Sequence, residues 1–349
     1  MFRRHFLAAL AGAPLLAFGR SSRAADGHVA AAPVDARGIA SDARGHAAEG
    51  SPSLKSLARD ALGTTLWLAL DHAPFPAAGA PYRDNTVIVF VPSHFRFAEE
   101  EGIPVLVHFH GHNTTAERAL LAHELREQLA DSRQNALLVL PQLAVQAADS
   151  ACGKLESPGG IARLLSETVA VAAREGRITF GDTAFPGDAP IGTVCLSAHS
   201  GGYHAAAATL RAGGIDVREV YLFDALYAES DTIRDWVIER RGEPLRRRHK
   251  LVSYFTEGGA TEANSVQLRL QLERAGLVCE HEAREGDLSR RDLSHADAVF
   301  VRTGLWHSNV AWETNALRDC LFASALPRHL PTTWFARKTG ARPVEKRQR

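Results

Sequence analysis

The chain is poor in the residue classes that would settle its chemistry by count. Its four cysteines among 349 residues, Cys152, Cys195, Cys279 and Cys320, contain no CxxC pair, which excludes zinc-ribbon and thioredoxin-type readings. In an oxidising compartment Cys152 can pair with Cys279 or Cys320, but spacing does not decide connectivity, and reduced core thiols are the simpler expectation. Neither sign of charge is in excess, with 40 basic against 40 acidic residues. Nucleic acid is therefore not expected as a partner. No apolar run reaches the roughly 20 residues that cross a bilayer, so no stable membrane anchor is expected. Internal repeats and heptads are absent, and Gly159-Gly160 lacks the GKS/T context of a phosphate loop.

What is present begins with Arg3-Arg4 ahead of an apolar stretch reaching Phe18, followed by the small residues of Ser22-Arg23-Ala24. This is read as a twin-arginine-type export signal over residues 1–24, placing the mature protein in the periplasm or outside the cell. Its removal takes four arginines and no acid, leaving 36 bases against 40 acids and a net charge of −4. Residues 25–52 are aperiodic and rich in Ala, Gly and Asp, as a disordered linker is. The charged, aperiodic stretch 336–349 is likewise expected to be a disordered tail. Arg240-Arg241 and Arg246-Arg247-Arg248 read as a solvated face with no functional role.

Between these ends, 53–335 is expected to form one α/β domain. With 45% hydrophobic residues it can bury a large core. Short apolar runs recur with space for a helix between them, the pattern of a mostly parallel sheet covered on both faces. Strands are expected at 64–70, 86–92, 104–109, 136–140, 192–197, 219–223, 250–256 and 298–302, making a three-layer architecture of about eight strands. Helices are expected at 115–131, 159–174, 203–210, 232–240, 261–275 and 315–325. The connections 142–158 and 280–296 are long and polar, and the first leaves the C-terminal end of a strand, where open α/β sheets bind ligands.

The sharpest local signal is the apolar run from Ile191 that halts at Ala198-His199-Ser200-Gly201-Gly202. A serine forced onto a tight strand-to-helix turn needs small residues two positions to either side, and Ala198 and Gly202 supply them. Ser200 is thus the candidate nucleophile. A second run, Val105-Leu106-Val107-His108-Phe109-His110-Gly111-His112-Asn113, ends a strand in His-Gly. Its alternating His108, His110 and His112 also carry a rival reading as metal ligands of a metal-dependent hydrolase, although companion carboxylates at suitable spacing are lacking.

With these motifs in their order, the chain resembles the α/β-hydrolase fold family over roughly 62–326, with Ala198 standing in the family's GxSxG pattern for the first glycine. The resemblance implies a serine hydrolase, esterase- or lipase-like, that needs no metal or organic cofactor. It implies an oxyanion hole from the amide of Gly111 or His112 and that of Gly201. It places the general base on the loop after the last strand, at His307 in Thr303-Gly304-Leu305-Trp306-His307. The triad acid has two addresses, Asp224 after 219–223 and Glu257 after 250–256, with a slight preference for Asp224. His199, Tyr203 and Trp306 are candidates for touching substrate, though Trp306, Trp312 and Trp236 also suit simple packing. The expected reaction is hydrolysis of a carboxylic ester, or an amide, in a small or peptide-like substrate through an acyl-enzyme on Ser200. An inactive binding module on the same fold is the alternative of another class. Substrate identity and oligomeric state are not legible.

Overall fold

A computed structural model describes residues 51–147, 151–175, 184–336 and 340–348. The expected export signal and nearly all of the expected linker lie outside the described residues.

Ten strands form a single sheet in the order β1-β2-β3-β5-β4-β6-β7-β8-β10-β9. β1 (Ser53–Asp60), β2 (Gly63–Ala69) and β3 (Thr86–Pro92) are antiparallel, and β3 pairs antiparallel with β5 (Leu137–Pro141). From β5 onward, β4 (Ile103–Phe109), β6 (Ile191–His199), β7 (Val217–Phe223), β8 (Lys250–Thr256), β10 (Ala298–Thr303) and β9 (Cys279–Glu282) all run parallel. The sheet thus has ten strands where about eight were expected. The two additional ones sit at its edges, where half-exposed polar sequence gives a weak apolar signal.

Strand periodicity divides the core between the two faces. In β3, Val87, Val89 and Val91 join one apolar cluster while Ile88 and Phe90 join the other. β7 does the same with Val220 and Leu222 against Tyr221 and Phe223. The first face is covered by α3 (Gly160–Arg174), α4 (Tyr203–Ala212), α5 (Ser230–Glu239) and α6 (Glu262–Arg274), through residues such as Leu164, Ala205, Ile233 and Leu268. The second is covered by α1 (Ala116–Ala122), α2 (Leu125–Ser132) and α8 (Ala316–Phe322), through Leu120, Leu129 and Leu321. The expected helix 115–131 is broken in two, because Glu124 takes a left-handed backbone at φ 47°. α7 (Arg290–His295) lies in the connection after β9 and starts on a Ser289–Asp292 capping box.

Among the described residues no helix is long and apolar enough to cross a membrane. All four cysteines are free thiols, so neither pairing of Cys152 forms. In the arginine-rich stretch, Arg240 pairs with Asp216 and Arg248 with Asp297.

The stretch read from composition as a disordered tail is held in its described part, 340–348. Arg342 is buried, donating to Glu282 Oε1 at 2.6 Å and Asp319 Oδ2 at 2.9 Å. Aperiodic sequence carries no sign of such anchoring, since a lone arginine is drawn inside by buried carboxylates and not by an apolar face. Replacing Arg342 by alanine leaves the fully buried Glu282 without its cation. A loss of about 3–5 kcal/mol in denaturant unfolding is expected.

Candidate active site

The parallel strands deliver the chemistry at their C-terminal ends. Ser200 follows β6 directly and opens the turn Ser200–Gly202, which leads into α4. Its φ of 53° is left-handed, a conformation costing a non-glycine residue about 1–3 kcal/mol and maintained by its surroundings. The turn is possible because Gly202 lies against β4: an added Cβ there would sit 2.3 Å from the Phe109 carbonyl oxygen. Gly202→Ala is expected to lose about 1–3 kcal/mol of stability, as overpacking does, together with activity, read by thermal melting and an ester assay.

Asp224 ends the neighbouring strand, also left-handed at φ 45°. Its backbone N–H donates to the Tyr254 carbonyl at 2.8 Å, which locks the residue beside β8. The buried carboxylate accepts from His307 Nδ1 at 2.6 Å, Thr256 Oγ1 at 3.1 Å and the Thr256 N–H at 3.3 Å, and from the Thr261 hydroxyl. Burial pushes its pKa up, but the hydrogen bonds from His307, Thr261 and Thr256 outweigh that and hold it below the ordinary value. A depressed carboxylate contributes stability above its unfolded pKa of about 3.9, lost as pH falls through the folded value.

His307 follows β10, on a loop that reaches over β8 to Asp224. With Nδ1–H given to the carboxylate, its other ring nitrogen is the one free to act as a base. No hydrogen bond joins His307 to Ser200 among the described residues. Tyr227 lies close to Ser200, and its raised pKa reflects burial first and the Asp224 charge second. Glu257 is elsewhere: it is exposed and pairs with Arg302 at 2.8 Å. Of the two carboxylates read from sequence, Asp224 is the one that meets the imidazole.

His199 proves to be buried behind the site, not on its open side, at 7% exposure. Its Nε2–H donates to the His307 carbonyl at 2.9 Å, and the two rings lie 4.7 Å apart. Burial lowers its pKa to about 4, so it is neutral near pH 7 and serves as a fixed donor. His199→Phe removes that donor, and kcat/KM is expected to fall by up to about a hundredfold, carried by kcat, as when a reacting group is misplaced by about 1 Å. His199→Gln, which retains an N–H, should recover part of it.

The loop after β4 passes beside the serine, since a Cβ on Gly111 would lie 2.8 Å from Ser200 Cβ. His110 orients that loop. Its Nε2 accepts from the Leu143 N–H and from Gln142 Nε2, each at 2.9 Å, so Nδ1 carries the proton and donates to the Gly111 carbonyl at 2.8 Å. The planar trans peptide then aims the His112 N–H the opposite way. Among the described residues nothing accepts the Gly111 or His112 amide.

The three histidines of the metal reading do not converge. His108 is buried with Nδ1 against Ser197 Oγ at 2.8 Å, both nitrogens of His110 are engaged by the protein, and the His112 side chain is exposed. Burial lowers His108 to about 3 and His110 to about 4. β4 ends at Phe109, so His110 and His112 leave the strand alternation that the sequence suggested. Tyr203 is half-buried, its ring 6.1 Å from Tyr227. Trp306 is 82% exposed beside His307, whereas Trp312 and Trp236 are buried packing residues. Sequence reasoning missed Tyr227, Thr256 and Thr261, whose roles arise only from contacts between loops.

No protein-family model and no curated protein matches the chain. Solved structures do match. A ferulic acid esterase is 16% identical, over 68% of this chain and 90% of that one, with a TM-score of 0.42. An S-formylglutathione hydrolase from Agrobacterium tumefaciens is 12% identical, over 79% and 100%, at 0.44. A feruloyl esterase module from Clostridium thermocellum is 12% identical, over 79% and 96%, at 0.46. Strand order, the left-handed serine after β6 and the histidine loop after β10 are together the architecture of the α/β-hydrolase fold.

Proposed function

We propose that this chain is an exported serine hydrolase that cleaves a carboxylic ester through an acyl-enzyme on Ser200. The observation that carries the reading is the ionised, four-times hydrogen-bonded Asp224 holding His307 Nδ1 at 2.6 Å, one loop away from a serine with a left-handed backbone. A carboxylate in that position orients an imidazole and stabilises its protonated form, which a surface histidine does not need. Export rests on Arg3-Arg4 and the apolar stretch behind them.

In the proposed cycle, substrate entry turns the Ser200 hydroxyl toward His307, a rotation between staggered wells of one side chain. His307 takes the proton as Oγ attacks the carbonyl carbon. The oxygen anion of the tetrahedral intermediate is met by the amides of Gly201 and of Gly111 or His112, each worth about 3–4 kcal/mol in such sites. Collapse breaks the ester bond, and His307 returns the proton to the leaving alkoxide. Water then attacks the acyl-serine by the same route and releases the acid. The chemistry asks for no metal or organic cofactor, and an amide substrate would follow the same steps with a poorer leaving group.

One observation favours a second reading, a binding module without turnover: among the described residues the His307 ring bonds Asp224 and makes no hydrogen bond to the Ser200 hydroxyl. Pre-steady-state hydrolysis of p-nitrophenyl acetate separates the two. The hydrolase gives a burst of p-nitrophenol approaching one per chain, followed by slower turnover, while the binding module gives neither.

A further inference from the structure

Away from the serine, a second group of side chains has the geometry of a metal-binding cluster. Cys152 immediately precedes the turn Gly153–Glu156, Glu156 ends it, and His204 lies on the first turn of α4. One donor atom from each falls within 4.8 Å of the other two. Cys152 Sγ, whose thiol donates to Glu156 Oε1, is 3.6 Å from it, and His204 Nε2 is 3.5 Å from the same oxygen. Bonds of about 2.0–2.3 Å to a tetrahedral ion place neighbouring donors roughly 3.3–3.7 Å apart. Both separations fall in that interval.

The histidine is also oriented as a ligand would be. Its Nδ1 lies 3.2 Å from Glu229 Oε1, and Glu229 is in turn bound by Arg211. A proton on Nδ1, held by that carboxylate, leaves the Nε2 lone pair facing Glu156 and Cys152, the arrangement that fixes metal-bound histidines. With the proton on Nδ1, Nε2 and the Glu156 carboxylate both present lone pairs, which a bound cation bridges. The supporting turn is packed closely on the chain before it: Gly153 has φ 57°, and an added Cβ would lie 2.1 Å from the Pro74 carbonyl oxygen. Cys152 is buried, while the Glu156 side chain is 50% exposed, so the cluster opens to solvent on one side.

We infer that Cys152, Glu156 and His204 bind one divalent ion of the zinc type, with water completing the tetrahedron. A mixed sulfur, nitrogen and oxygen donor set selects a borderline ion over magnesium or calcium. Binding replaces the thiol proton by the metal and releases that proton to solvent. The ion clamps the connection after β5 to α4, the helix that starts at the serine turn, and takes no part in bond cleavage.

The test uses the full chain without an affinity tag, stripped with a chelator and titrated with Co2+. One Co2+ per chain is expected, with the near-ultraviolet band of a thiolate ligand and the strong visible bands of tetrahedral coordination. Cys152→Ser should remove the thiolate band, and Glu229→Gln should weaken affinity about 10–100-fold. Absence of saturable binding at micromolar Co2+ and Zn2+ would overturn the site, as would a wild-type spectrum without the thiolate band. Equally, an unchanged spectrum in Cys152→Ser would place the ion elsewhere. Should Cys152→Ser fail to fold, the wild-type spectrum and Glu229→Gln decide. Labelling of Ser200 by a fluorophosphonate in the stripped protein reads the hydrolase proposal separately.

Discussion

Replacing Ser200 by alanine is expected to lower kcat on an activated ester by about a millionfold. Losses of that order follow removal of the nucleophile from a serine–histidine–acid unit, because the remaining groups act only through it. What survives should be the weak catalysis of the amides at Gly201 and Gly111 or His112, roughly a thousandfold or more over water. KM should change little, since an alanine at this position removes only the hydroxyl that reacts and leaves the surrounding pocket in place. Steady-state kinetics with the melting temperature measured in parallel checks this, because the variant keeps the Cβ at its left-handed position and opens no cavity. A fall of less than about a hundredfold would mean that the bond is broken by another group.

The second large effect separates two carboxylates that the sequence offered as alternatives. Asp224→Asn keeps the shape but cannot accept Nδ1–H as an anion, and it favours the wrong tautomer of His307. A loss of about ten-thousandfold in kcat is expected. Glu257→Gln should leave kcat within about twofold, since its carboxylate is exposed and touches Arg302. The pair of variants is decisive together: comparable losses in both would show that the 2.6 Å contact between His307 and Asp224 does not govern reactivity. Asp224→Asn also removes a buried charge that Thr256 and Thr261 hydrogen-bond, so its stability has to be measured alongside.

The elbow and the His-Gly strand end are legible because each is a local pattern, an apolar run followed by residues whose size or chemistry the next turn demands, whereas His307 follows from the resemblance, which puts a base on the loop after the last strand. Their convergence follows from parallel strand order, which sets the C-terminal ends of β4, β6, β7 and β10 along one edge of the sheet. The acid was only half legible, because a strand-end carboxylate becomes part of a site through what lies across from it. Thr256 and Thr261 on β8 and the head of α6 make that difference, and nothing in their own neighbourhoods marks them. His199 was misread for the opposite reason. Adjacency to the nucleophile along the chain suggests contact with substrate, yet the strand alternation of β6 turns its ring inward, under the His307 loop.

The remaining surprises share a cause. β9 is a four-residue edge strand of sequence Cys279-Glu280-His281-Glu282, too short and polar to show an alternation. Arg342 is buried because Glu282 and Asp319 await it, so the element that anchors it reveals itself only once the sheet is formed. Cys152, Glu156 and His204 lack the spacing of a metal motif because their proximity comes from the docking of one turn on α4.

The central claim is that His307 and Asp224 make Ser200 a nucleophile. Its most direct test is the mass of the intact protein after exposure to a fluorophosphonate, followed by peptide mapping of the adduct. One adduct per chain on Ser200 is expected, absent in Ser200→Ala and formed far more slowly in Asp224→Asn. An unlabelled protein, or an adduct formed at the same rate in Asp224→Asn, would contradict it.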